Sequence, residues 1–144
     1  MTTKSVTLVS VQLLCIMVLV ITGPVIPRTV GPLALVVCGV AIIVWAMFSI
    51  GLRRLTVGPE PRRDARLVTR GPYRMIRHPM YTGGSLITAG WLWSDFTILR
   101  LVVGIVLVAD FLLKLRYEES LLAARFEDYR DYMQTTRRLI PFIY

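Results

Sequence analysis

The chain is 144 residues long, carries a formal net charge of +8 and is 55% apolar, with a mean hydropathy of +0.62. That length indicates a single domain, and that apolar balance excludes an ordinary soluble globule. The basic excess invites a nucleic-acid reading, but no aromatic platform or recognition module accompanies it, so no nucleic-acid partner is expected.

Val6 to Val20 carries no charge and is closed by Pro24 and Pro27, which predicts helix 1 over roughly residues 5–23. About 20 apolar residues cross a ~30 Å hydrocarbon core, so this run reads as a membrane span. A signal peptide is the competing reading, since Lys4 precedes the run. No small-x-small cleavage site follows, and the run is long for such a segment. After the turn Gly23-Pro24-Val25-Ile26-Pro27-Arg28, helix 2 is expected over roughly 32–53, completing a first hairpin in residues 1–53. Cys15 and Cys38 fall inside these spans without a second ligand nearby; they read as small apolar fillers, with no metal site.

Residues 54–78 form a basic loop. Between 53 and 78 there are eight arginines against Glu60 and Asp64. The positive-inside rule places such a loop in the cytoplasm, where anionic membrane lipids are natural partners. Gly58-Pro59 and Pro61 break any helix there. Pro79 suits a first helical position, which makes His78 the cap and predicts helix 3 over Pro79 to about Trp93. Asp95 marks a turn, helix 4 follows from Phe96 to Arg116, and the two fill residues 79–116. From Tyr117 to the end (117–144), Leu122, Phe126, Tyr129 and Met133 recur at helical spacing, as in an amphipathic helix. The expected fold is all-α: one integral membrane domain, 1–144, with four transmembrane helices, an Arg-rich cytoplasmic loop and a C-terminal amphipathic helix. An even number of spans puts both termini in the cytoplasm.

Chemistry concentrates in two places. His78, the only histidine, lies at a helix start whose unpaired N–H groups favour an anion, and Arg74 and Arg77 reinforce that sign. One turn on, Gly83, Gly84 and Ser85 either let helices approach closely in lipid or leave room for a ligand. The second place is Glu118-Glu119. Such a pair either faces water or accepts hydrogen bonds from ligand hydroxyls or an ammonium. Lys114 lies one turn earlier on the face of Glu118, and Asp110, one turn before that, could pair with it. There is no Gly-x-Gly-x-x-Gly, no phosphate loop and no metal-ligand cluster.

The stretch Leu67-Val68-Thr69-x-Gly71-Pro72-Tyr73-Arg74-x-x-Arg77-His78-Pro79-x-Tyr81-x-Gly83 resembles the signature of the isoprenylcysteine carboxyl methyltransferase family and its phospholipid methyltransferase relatives. Glu118-Glu119-x-x-Leu122, with Phe126, Tyr129, Tyr132 and Ile140-Pro141, resembles that family's second block. The resemblance covers roughly residues 66–142.

It implies a membrane methyltransferase dependent on S-adenosyl-L-methionine, with a lipophilic substrate arriving from the bilayer. Carried over by motif, the cofactor site takes in Ala65, Arg66, Leu67, Val68, Tyr73, His78, Pro79, Met80, Tyr81 and Glu118, with Gly83 beside them. His78, Glu118, Lys114 and Arg116 are the implied catalytic set, Lys114 standing where prenylcysteine-type members carry a substrate-handling arginine. Ala65 replaces a frequent histidine, and lysine lacks the bidentate fork of arginine, so the cofactor site carries over more fully than the substrate. Rival readings are an NADPH-dependent membrane reductase of the sterol-reductase type, or a non-catalytic anchor binding acidic lipids. Small-residue helix faces would also allow a homodimer.

Overall fold

A computed structural model of the chain describes residues 2–51, 67–141 and 143. Its elements are α1 (Thr3–Ile21), α2 (Val30–Ile50), a 3-10 turn (Gly71–Arg74), α3 (Pro79–Ser94), α4 (Ile98–Arg125) and α5 (Tyr129–Thr135). Among the described residues the only β pairing is an isolated parallel bridge between Ile76 and Arg137. The start signals are local. Thr2 caps α1 by accepting from Ser5 N at 3.3 Å, and Thr97 caps α4 by accepting from Arg100 N at 3.2 Å; both satisfy donors that a helix start leaves unpaired. Pro79 opens α3 with His78 as the cap, as the sequence predicts.

The helices pair as α1 with α4 and α2 with α3, neighbours running antiparallel. Side-chain size sets the second pairing. A Cβ on Gly83 would lie 2.6 Å from the Gly39 carbonyl oxygen, and one on Gly39 would lie 2.5 Å from that of Gly83. The two backbones therefore touch at a reciprocal glycine crossing, the close approach that small residues permit in lipid.

α1 and α2 are each long and apolar enough to cross a membrane, and only 17% and 11% of their most apolar windows are buried. Leu13, Leu14, Met17, Val37, Trp45 and Phe48 are each more than half exposed. A soluble core helix would bury such residues; a lipid-solvated one has no reason to. α3 has 16 residues, about 24 Å at 1.5 Å per residue.

The C-terminal region departs from expectation. α4 does not end at Arg116 but runs to Arg125, so Glu118 and Glu119 sit inside it, not at a new helix start. The expected amphipathic helix from Tyr117 is the last turns of α4, a break at Phe126 in extended backbone, and the seven-residue α5. Nothing in Arg116-Tyr117 stops a helix, and the spacing of Leu122, Phe126, Tyr129 and Met133 is equally compatible with one helix or two.

At the end of the bundle away from His78, Arg100 is completely buried. Its Nη1 donates to Leu19 O (2.9 Å) and Thr22 Oγ1 (3.2 Å), and its Nη2 to Trp91 O (3.0 Å). A cation in the first turn of its own helix is unfavourably placed, but here it serves the C-terminal ends of two others, α1 and α3. Arg100→Leu is therefore expected to cost about 3 kcal/mol through lost charge-assisted bonds. The cost reads out as a lower melting temperature in detergent. Arg100→Lys, which cannot reach all three acceptors, should fall between.

Candidate functional site

The loop before α3 is shaped by its contact with α2. Gly71 has φ +63°, the left-handed region, and a Cβ there would run into the Ser49 side chain. Arg70 Nε donates to Ser49 O at 3.2 Å, fixing the same approach. Beyond the 3-10 turn the chain extends and meets the C-terminal segment. Arg77 N donates to Arg137 O (2.7 Å), His78 N to Arg138 O (3.1 Å) and Arg137 N to Met75 O (3.1 Å). Thr82 Oγ1 donates to Leu139 O at 2.7 Å, and the Tyr132 hydroxyl to Tyr73 O at 2.7 Å. Residues 136–139 are thus a strap laid across the start of α3.

Under this strap lies a knot of charges. Glu119 receives Arg77 Nε on Oε1 (2.8 Å) and Arg138 Nε on Oε2 (3.0 Å), while His78 Nε2 stands 3.5 Å from Oε1. Arg77 also donates through Nη1 to Thr136 O (2.6 Å) and Met133 O (3.2 Å), at the C-terminal end of α5. On the other side of the imidazole, Nδ1 lies 3.6 Å from Glu118 Oε2, which accepts from the Tyr81 hydroxyl at 3.3 Å. The rings of His78 and Tyr81 lie 5.6 Å apart, and those of Tyr81 and Phe111 5.5 Å. The histidine side chain is 3% exposed, that of Glu118 32%.

This geometry fixes the ionisation pattern. Burial of the His78 ring opposes its charge, but Glu118 and Glu119 outweigh burial and raise its pKa above the ordinary 6.5. For Glu119, burial pushes the other way, yet His78 and Arg77 prevail and hold the carboxyl at about 2.

The structure brings His78, Pro79, Tyr81 and Glu118 together as expected, with Tyr73 buried on the adjoining turn. Met80 follows Pro79 in the first turn of α3, and Leu67 and Val68 are half-buried on the approach to the 3-10 turn. Ala65 and Arg66 lie outside the described residues. Gly83 faces α2, where it packs against Gly39. Lys114 does not reach Glu118; its Nζ pairs with Asp110 Oδ2 at 3.0 Å and bonds Gln12 Oε1 of α1. Arg116 is exposed on the outer face of α4.

Sequence reasoning missed Glu119 as the shared partner of His78, Arg77 and Arg138, and Arg138 and Thr136 as parts of the knot. No spacing rule connects positions 42 or 59 residues apart. Two buried atoms beside the knot have no hydrogen-bond partner among the described residues, His78 Nε2 and the Tyr129 hydroxyl oxygen. A separate apolar groove of about 360 Å³ lies deeper between α3 and α4, lined in part by Ser85, Ala89, Gly104, Val108 and Leu112.

The profile of the phospholipid methyltransferase family matches residues 27–129, from before α2 to the start of α5. The chain belongs to that family. It is 32% identical over 96 residues to a methanethiol S-methyltransferase of Crocosphaera subtropica (strain ATCC 51142 / BH68), a match covering 65% of this chain and 37% of that protein. It is 29% identical over 82 residues to the nickel-cobalt-cadmium resistance protein NccN of Alcaligenes xylosoxydans xylosoxydans, covering 56% of this chain and 38% of that one. These matches span well under half of either relative. Family membership and the two outward-facing apolar helices together make this a membrane protein.

The two ionisation shifts give opposite pH dependences. The raised His78 value contributes stability that is complete below about pH 6.5 and is lost as pH rises through the folded value. The depressed Glu119 value contributes stability present above about 4.5 and lost as pH falls toward about 2. The melting temperature is expected to peak between these limits. Glu119→Gln should flatten the acid limb, and NMR titration of the lone imidazole should show its midpoint above 6.5 in the wild type and lower in that variant.

Proposed function

We propose that the chain is an integral membrane methyltransferase that takes its methyl group from S-adenosyl-L-methionine and passes it to a lipophilic small molecule or lipid. The observation that carries this reading is the meeting of His78 and Glu118 within 3.6 Å, from segments 40 residues apart, at one end of an apolar bundle. In this reading α3 and α4 cross the bilayer with α1 and α2. The site end is cytoplasmic, beside the arginine-rich stretch and both termini.

The residues present fit the cofactor. Glu118 keeps a third of its side chain accessible, and the buried Tyr129 hydroxyl beside the knot has no hydrogen-bond partner among the described residues. Bound there, the cofactor supplies a methyl group already activated as a sulfonium. Glu118 is suited to accept from sugar hydroxyls or to pair with an ammonium group. Tyr73 and the turn His78 to Tyr81 form the wall, and the strap 136–139 excludes water from the imidazole. For an amine or thiol acceptor, whose proton must leave, His78 takes it at Nδ1, the nitrogen that faces the accessible Glu118, and this activity rises as pH passes through its raised midpoint. A carboxylate acceptor needs no base, but Lys114, already paired with Asp110, offers it no fork. An amine or thiol acceptor therefore fits better, in line with the thiol substrate named for one relative.

Calorimetric titration of detergent-purified protein is the direct test. S-adenosyl-L-methionine should bind, and Glu118→Ala should weaken it at least about tenfold, or about 1.4 kcal/mol. NADPH should not bind, which separates this reading from a reductase. No donor binding at millimolar concentration, or an unaffected Glu118→Ala variant, would overturn it.

A further inference from the structure

Asp110 and Lys114 form an ion pair buried to 3% and 2% exposure in the middle of α4, and neither belongs to the site around His78. A buried pair of this kind is seldom a source of stability, because desolvating two charges offsets most of their attraction. In a membrane helix it is costlier still, and such residues tend to be kept for function or specificity. Here the pair has a third member on another helix. Gln12 of α1 accepts from Lys114 Nζ. Ser5, Gln12 and Leu19 recur every seven residues along the α1 face that meets α4, with Ser5 and Leu19 fully buried.

Position along α4 is what makes this trio consequential. Asp110, Lys114 and Glu118 follow one another at four-residue steps, and Glu119 is next to the last of them. A one-residue slip or its equivalent rotation turns a helix by about 100°, enough to swing both glutamates away from His78. Apolar contacts between lipid-solvated helices resist such rotation weakly, because lipid replaces them at little cost. A buried charge pair whose lysine is hydrogen-bonded to an amide on the neighbouring helix does resist it, much as a buried polar residue fixes register in a coiled coil.

We propose that Gln12, Asp110 and Lys114 are positioning residues, an intramembrane clasp through which α1 fixes the rotation of α4 and so presents Glu118 and Glu119 to His78. Their consequence for methyl transfer rests on the function proposed above; their effect on the geometry around His78 does not. α1 lies outside the stretch matched to the family, so the clasp ties an element beyond the match to the centre of the site.

The test compares wild type with the double variant Asp110→Leu/Lys114→Met, which removes both charges without changing net charge, and with Gln12→Leu. Three quantities are read: melting temperature, the NMR titration midpoint of His78, and donor affinity. A clasp predicts a double variant that melts within a few degrees of wild type. Its His78 midpoint nevertheless moves at least half a unit toward 6.5, and donor affinity falls about tenfold. Gln12→Leu should shift both in the same direction by less. A folded double variant with the wild-type His78 midpoint overturns the clasp. Should the double variant not fold, an unchanged midpoint in Gln12→Leu does the same. If wild type itself binds no donor, the methyltransferase reading falls, while the His78 titrations still decide the clasp.

Discussion

A carboxylate buried under a strap of backbone organises the functional end of this protein. Glu119 is 6% exposed, and such a charge is tolerable only where it is paired and hydrogen-bonded. Its partners come from three places: Arg77 before α3, Arg138 in the C-terminal segment, and the ring of His78. Each partner has further obligations. Arg77 reaches the end of α5, and the backbone of Arg138 and its neighbour Arg137 pairs with residues 75–78. Withdrawing the carboxylate would leave two guanidinium groups facing each other over a buried imidazole. Breaking one side of a buried pair commonly costs about 3–5 kcal/mol. Glu119 thus holds the loop, the strap and α4 in one arrangement, while Glu118 beside it stays partly accessible.

The bundle is polar at its two ends for different reasons. At one end Arg100 joins the termini of α1 and α3 through carbonyls, so a single cation ties two helix ends together. At the other end Arg77 and Arg138 meet on Glu119, and Glu118 and Glu119 flank the His78 ring. Between them the described helices offer lipid an apolar exterior, interrupted inside by the Gln12–Lys114–Asp110 trio. The buried Arg100 anchor is therefore remote, along the bundle axis, from the charge knot around His78.

Much of this was legible in the residues. The two apolar runs gave α1 and α2 nearly to their ends, Pro79 gave the start of α3, and the histidine before it proved to be the cap. The pairing of Asp110 with Lys114 followed from four-residue spacing. What stayed hidden depended on direction and distance. Spacing could not say that Lys114 turns toward α1, or that Gly83 faces Gly39, because both are facts about a neighbour helix. Glu118 and Glu119 were visible as a pair, but which acid is buried depends on the rotation of α4. The strap was the least legible part, since its hydrogen bonds run through backbone groups that every residue carries.

That rotation also bears on how so small a framework could assemble a reactive site. No sheet or nucleotide-binding loop is available among the described residues to place a ligand by backbone geometry, so placement falls to side chains on separate helices. Such a site is only as ordered as the helices' register. The glycine crossing fixes α3 against α2, and Arg100 fixes the far ends of α1 and α3 against α4. Neither determines how α4 is turned at the height of Glu118, some 18 residues from Arg100, or about 27 Å along the helix. Control at that height has to come from contacts nearby. Those available are the knot at Glu119 and, one turn below Glu118, the buried pair bonded to Gln12.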